Sequence, residues 1–182
     1  MIYQSNLIKQ LEVRDNWPYF NRPNFLDDLN KLADNAFKNN TTEGYLSSLL
    51  IYHQICEEMI QVLIKCSTFY IQLSVFPQQY NKRDLKDKMF GQLINELSNC
   101  VVDDDILKFI EQCKKLNKLR IQMVHKITLK DSILDISNQC KESKNIFKDI
   151  ENLFDLIYDN YLLTFKDYKK DIQEFYEIVN EY

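Results

Sequence analysis

Apolar side chains recur along this chain with the three- to four-residue spacing of helices, not with the alternation of strands. No proline interrupts the chain between Thr41 and Ser74. Apolar residues are dense there, at Tyr45, Leu46, Leu49, Leu50, Ile55, Met59, Ile60, Leu63 and Ile64. Thr41 or Thr42 is a favoured N-cap for such a run. The pattern therefore predicts one long, central and largely buried helix.

The same spacing predicts further helices on both sides of this one. Before it, helices are expected over residues 5–14 and 24–38, separated by a stretch that contains two prolines. After it, Pro77 and the polar residues 78–84 indicate a loop, and residues 85–100 are helical in pattern. The triplet Asp103 to Asp105 should begin a helix reaching about Ile127, because carboxylates suit the positive end of a helix dipole. Asp131 is expected to cap the last helical region, with a break near Asn138.

These elements predict an all-α protein, an up-and-down bundle of four to five long helices plus short N-terminal helices. Two glycines and three prolines supply too few turns for a sheet protein. We expect one helical domain over 1–182, with a core bundle at about 42–180 and an N-terminal helical extension at 1–40. No apolar run approaches the roughly 20 residues of a membrane span, and no signal peptide is recognisable, so we expect a cytoplasmic protein without a membrane partner.

Cysteine and histidine usage argues against a metal centre. The five cysteines, at 56, 66, 100, 113 and 140, are odd in number and form no C-x-x-C pair. They are expected to be reduced core thiols. The chain has two histidines, and none of these residues shows metal-ligand spacing. We therefore expect neither a metal nor a cofactor. The net charge of −4 argues against a globally basic nucleic-acid binder, although a local basic patch can still attract phosphate.

Charge reverses locally in residues 112–130, which carry five lysines and Arg120 but no acidic residue. On a helix, Arg120 shares a face with apolar residues such as Leu116 and Met123, whereas Lys114 and Lys118 lie on the opposite face. A guanidinium cannot be neutralised, so on an apolar face it needs a carboxylate, a carbonyl or an anionic ligand in a cleft. Candidates that would position it are two carboxylates of the central helix, Glu57 and Glu58. For the lysines, a solvated face near the end of a helix remains the alternative.

The residues from Arg120 to His125 form an R-x4-H motif late in an all-helical chain, and this resembles the HEPN superfamily. The resemblance covers roughly residues 42–180 and implies a helical bundle that forms a homodimer, with both Arg–His pairs facing one cleft. It also implies a metal-independent endoribonuclease of a toxin or phage-defence system, with RNA as substrate and an antitoxin or another protein as partner. His125 would transfer protons and Arg120 would stabilise charge on the phosphate. The RNA-binding candidates are Lys114, Asn117, Lys118 and Lys126.

Two other hypotheses stay open. HEPN families commonly place Asn or another polar residue directly after the arginine, and this chain has Ile121. The chain would then be a degenerate member, a catalytically inactive HEPN-like helical interaction or RNA-binding module. In the third hypothesis the bundle is unrelated and the motif is accidental. His53, on the central helix, is expected to be a hydrogen-bonded core or interface histidine.

Overall fold

The computed structural model describes residues 2–81, 84–100 and 103–180. Within these ranges it contains no strand, which confirms the predicted all-α class. Two short 3-10 helices, Arg14–Asn16 and Ile127–Leu129, lie between the longer elements. The α-helices are α1 (Ile2–Glu12), α2 (Pro23–Lys38), α3 (Thr42–Ser74), α4 (Phe90–Ser98), α5 (Asp104–His125) and α6 (Ile133–Asn180).

Helix α3 is the central element, as predicted from its density of apolar residues. It packs against α2, α4, α5 and α6. The side chains of Leu49, Ile60 and Leu63 are completely buried. Residues 39–41 alone connect α2 to α3, and such a short connection folds two packed helices into a hairpin. The core is therefore arranged around one long helix that is covered on several sides.

Side-chain caps fix where three of the helices begin. Thr41 Oγ1 accepts a hydrogen bond from the Gly44 N–H, and the Asp103 carboxylate accepts from the N–H groups of Asp105 and Ile106. Both caps were predicted from the sequence. The start of α6 differs from the prediction, because Ser132 and not Asp131 accepts the N–H of Asp135.

The N-terminal segment belongs to the same core as the bundle. Leu7, Leu11 and Trp17 are all buried. The Trp17 indole N–H donates to the Leu11 carbonyl oxygen, and its ring meets that of Phe165 edge-on at 5.6 Å between centroids. Residues 1–40 were predicted as an extension of the bundle. In the structure their described part closes one side of it.

Two predicted helix boundaries are wrong. The helix expected over 85–100 begins only at Phe90, because the Asp84 carboxylate accepts the Lys86 N–H and Asp87 adopts a left-handed φ of 58°. Conversely, α6 runs through Asn138 without the expected break. Buried Ile136 and Cys140 flank Asn138 and hold this part of α6 against the core, which outweighs the weak helix propensity of asparagine.

The cysteines follow the prediction of core thiols in four positions. Cys56, Cys66, Cys113 and Cys140 are buried, and burial raises the pKa of each thiol. Cys100 is half-buried and donates to the Glu96 carbonyl oxygen.

None of the described helices combines the length and the apolar character needed to cross a membrane.

Replacing Gly44 with alanine should destabilise the fold, because α2 and α3 approach closely there. A Cβ at Gly44 would lie 2.2 Å from the Ala36 carbonyl oxygen, and a backbone atom cannot easily give way. We expect Gly44→Ala to lower the free energy of unfolding by about 1–3 kcal/mol in urea denaturation. Gly91→Ala is the matched control, since its nearest neighbour would be the Asn117 side chain at 3.8 Å. Equal stability of the two variants would contradict this packing.

Candidate functional site

Arg120 lies on the face of α5 that packs toward the core, yet it is not sealed there. Its neighbours Leu116 and Met123 are buried, whereas Arg120 itself is half-buried. A cavity of about 730 Å³ opens at this point between α3, α4 and α5. The guanidinium is therefore accessible from a cleft.

This cavity, which we name the arginine cleft, brings both residues of the R-x4-H motif together. His125, the last residue of α5, is exposed at its rim. Residues of α3, α4, α5 and the loop before α4 line the arginine cleft. They are His53, Gln54, Glu57, Asp87, Lys88, Met89, Phe90, Gly91, Gln92, Asn95, Asn117, Arg120, Ile121 and His125. The late start of α4 contributes directly, because the residues that were expected to be helical form a wall of the cleft.

The two carboxylates predicted to position Arg120 lie in different places. Glu57 lines the arginine cleft, whereas Glu58 lines a separate pocket beside Arg22. Burial raises the pKa of Glu57, the neighbouring Glu58 raises it further, and Arg120 opposes both effects. Among the described residues no direct salt bridge joins Arg120 to either carboxylate. Glu57 thus acts on Arg120 through the field across the cleft.

His53 forms part of the floor of the arginine cleft. It is 4% exposed, its Nε2 lies 3.3 Å from Asn117 Oδ1, and its ring packs on Phe90 with 4.2 Å between centroids. This confirms the prediction of a hydrogen-bonded core histidine. Burial lowers the pKa of His53 to about 4, against the hydrogen bond to Asn117, and Arg120 lowers it as well. His53 was not predicted to belong to the site. The spacing of His53 and Glu57, four residues apart on one helix face, was the available signal.

The other RNA-binding candidates are divided between the cleft and the surface. Asn117 lines the arginine cleft, whereas Lys114, Lys118 and Lys126 are exposed and lie outside it. Lys88 does line the cleft, where it forms a 2.8 Å salt bridge with Glu96. Lys114 and Lys118 on α5 and Lys126 directly after it, which we name the basic strip, thus form a solvent-facing surface next to the cleft but separate from it.

Within the part of the chain that the structure describes, no three His, Cys, Asp or Glu residues cluster as a metal site requires.

A second cavity, of about 400 Å³ between α2, α3 and α6, is lined by the carboxylates of Asp27, Glu151, Asp155 and Asp159. This lining has no cationic side chain and repels phosphate, whereas the arginine cleft sets Arg120 and Lys88 beside Glu57 and Asp87. Of the two cavities, the arginine cleft is thus the better fit for an anionic ligand.

Comparisons of the chain with family models, curated proteins and solved structures returned no match. The residues of the arginine cleft are therefore the basis for assigning a function.

Removing the charge of Glu57 should stabilise the protein at neutral pH. A carboxyl group whose pKa rises on folding weakens the folded state once pH exceeds its unfolded value, and this cost is absent when both states are protonated. Because burial raises the pKa of Glu57, Glu57→Gln should increase the melting temperature at pH 7. The gain should disappear below about pH 4. A lower melting temperature at pH 7 would show instead that attraction to Arg120 dominates.

Proposed function

We propose that the chain is a HEPN-like, metal-independent endoribonuclease that uses Arg120 and His125. One observation carries the proposal: a guanidinium without a salt bridge to any described residue faces the same open cleft as an exposed histidine. A permanent positive charge in a cleft attracts an anion, and histidine is the side chain best suited to transfer protons near neutral pH.

The chemistry follows from these two groups and the RNA itself. One histidine accepts the proton of a ribose 2′-hydroxyl, whose oxygen then attacks the adjacent phosphorus. Arg120 stabilises the charge that develops on the phosphoryl oxygens. A second acid donates a proton to the departing 5′-oxygen. The products are a 2′,3′-cyclic phosphate and a 5′-hydroxyl, and no metal takes part.

A homodimer would supply the second proton-transfer group. His53 is unsuited to that role, because burial keeps its pKa near 4. A second copy of His125 is suited, provided that two clefts face each other. Exposed apolar side chains beside and beyond the motif support association of two copies: Ile121, Val124, Leu129, Ile133 and Leu134 are between 38% and 75% exposed.

The second candidate function is a catalytically inactive HEPN-like interaction or RNA-binding module. Ile121 favours it, because this apolar side chain lines the arginine cleft and is 38% exposed, at the position where the HEPN pattern has a polar residue. In either function the chain would act in the cytoplasm as part of a toxin or phage-defence system, with an antitoxin or another protein as partner.

Removing charges from the basic strip should weaken RNA binding for every sequence alike. If Lys114 and Lys118 bind phosphates, each lysine replaced by alanine should reduce the log–log salt dependence of binding by about one unit of slope. Lys148 and Lys166 are exposed lysines of α6 and provide the matched double variant. Fluorescence anisotropy over a salt series measures both double variants. If the two double variants have the same salt dependence of binding, Lys114 and Lys118 belong to an ordinary solvent-exposed face and do not bind phosphates.

Purified protein should cleave single-stranded or structured RNA in excess EDTA and leave cyclic-phosphate ends. His125→Ala should lower the rate by about 10²- to 10⁴-fold, the usual contribution of an acid–base group. Thr128→Ala is the control, because Thr128 is exposed and lies outside the cleft lining. Circular dichroism should show unchanged helix content in both variants. A cleavage rate for His125→Ala within about tenfold of the wild-type rate would exclude this mechanism.

Ile121→Asn separates the two candidate functions. If the wild-type protein does not cleave a broad RNA panel, the substitution restores the polar neighbour of Arg120. Activity that appears in Ile121→Asn and depends on His125 would identify a degenerate nuclease. No activity in either form would favour the interaction module.

A further inference from the structure

The ring of His53 is held by three helices at once. The residue belongs to α3, its ring packs on Phe90 at the start of α4, and its Nε2 lies 3.3 Å from Asn117 Oδ1 on α5. With 4% of its surface exposed, the ring has little room to rotate. Its orientation is therefore set by the packing of the cleft floor.

The protonation state of His53 determines the direction of this hydrogen bond. Because burial lowers the pKa of His53 to about 4, the imidazole is neutral near pH 7 and only one ring nitrogen carries a proton. An amide oxygen is only an acceptor. Nε2 must therefore be the protonated nitrogen, and it donates to Asn117 Oδ1.

This hydrogen bond turns the amide nitrogen of Asn117 away from His53. Asn117 Nδ2 lies near the first turn of α4, 3.8 Å from where a Cβ on Gly91 would stand. Within the described chain Nδ2 donates to no acceptor. It is not one of the fully buried polar atoms without a partner, so solvent reaches it. Two N–H bonds of Asn117 are thus available in the arginine cleft.

The surroundings of this amide nitrogen suit an anion. Arg120, one turn further along α5, lines the same cleft. The cap residue of α4, Met89, has no side-chain oxygen, and the N–H groups of Phe90 and Gly91 donate to no carbonyl oxygen of the described chain. The absence of a side chain at Gly91 leaves room beside these donors.

We propose that Asn117 binds a phosphate of the substrate through its amide nitrogen, next to Arg120, and that His53 is the positioning residue that directs this amide into the cleft. The inference rests on the proposed function for the identity of the anion, a nucleic-acid phosphate. It predicts binding, however, and does not require that the bound strand be cut.

The test uses a single-stranded DNA oligonucleotide, which has no 2′-hydroxyl and cannot undergo the proposed cleavage. Asn117→Asp retains the oxygen that accepts from His53 but replaces the donor with a negative charge. It should weaken binding about tenfold or more in fluorescence anisotropy, as expected for removal of a hydrogen bond to a charged group. Binding within a factor of two of wild type would overturn the proposal.

His53 is tested by two substitutions of similar size. His53→Phe keeps the aromatic packing on Phe90 and removes the donor, so binding should weaken about three- to tenfold. His53→Gln supplies an amide N–H at the same reach and should restore most of the affinity. In an Asn117→Ala background, His53→Phe should have no further effect, because the two residues act as one unit. Additive reductions in affinity would assign His53 a purely structural role and overturn its part of the proposal.

Nuclear magnetic resonance of the labelled imidazole provides a readout that folding stability does not move. The proposal requires a neutral ring protonated on Nε2 at pH 7, and no titration between pH 5 and pH 8. A ring protonated on Nδ1, or one that titrates in this range, would contradict it. RNA that is bound with this pattern of variant effects but never cleaved would refute the proposed nuclease and leave this inference intact. Cleavage combined with additive reductions in affinity would support the nuclease and overturn the positioning role of His53.

Discussion

The arrangement of the arginine cleft depends on the position of Arg120, because a guanidinium keeps its positive charge at every pH that proteins meet. Arg120 occupies a position on α5 between buried Leu116 and Met123. Complete burial of this charge without a partner would cost far more free energy than the packing of one side chain contributes. The protein leaves a cleft instead, and its far wall exists because α4 begins late, at Phe90. The first turns of α4, the loop before it and Arg120 all border the same cavity.

The two histidines of the arginine cleft illustrate how burial assigns different tasks to one side-chain type. His53 lies under Phe90 and is buried, which keeps it neutral and gives its hydrogen bond a direction. His125 stands at the exposed end of α5, where solvent reaches it. A neutral, fixed ring suits the orientation of a neighbour, and an accessible ring suits proton transfer. Glu57 completes the cleft as a carboxylate that moderates the charge of Arg120 without forming a direct salt bridge.

Much of the fold was predictable because its signals are local and repeated. The apolar spacing of α3 and the caps at Thr41 and Asp103 each depend on a few adjacent residues, and these predictions are confirmed. The start of α4 was not predictable from apolar spacing, since it depends on one turn, in which the Asp84 carboxylate accepts the Lys86 N–H, and on one left-handed residue, Asp87.

The candidate site was likewise predictable only where it depends on local geometry. Helical geometry alone places Arg120 on an apolar face with Asn117 one turn before it. It cannot decide which of two adjacent carboxylates faces the arginine, because Glu57 and Glu58 lie only about 100° apart on α3 and the difference is made by where α5 packs. The role of His53 depends on contacts with α4 and α5, which are distant in the sequence. The basic strip was visible as composition, and helical geometry already placed Lys114 and Lys118 opposite Arg120. The cleft itself is a tertiary feature, because α3, α4 and the loop before α4 supply most of its lining.

The most direct measurement of a site shared by two copies is a mixing experiment with wild-type and His125→Ala proteins. Equal amounts would be unfolded together, refolded as a mixture and assayed for RNA cleavage in EDTA. If one shared cleft uses both copies of His125, only the dimers with two wild-type subunits are active, and these are about a quarter of all dimers. Activity should then be about a quarter of that of wild-type protein at the same total concentration. Activity of about one half, as expected when each subunit acts alone, would contradict the shared site.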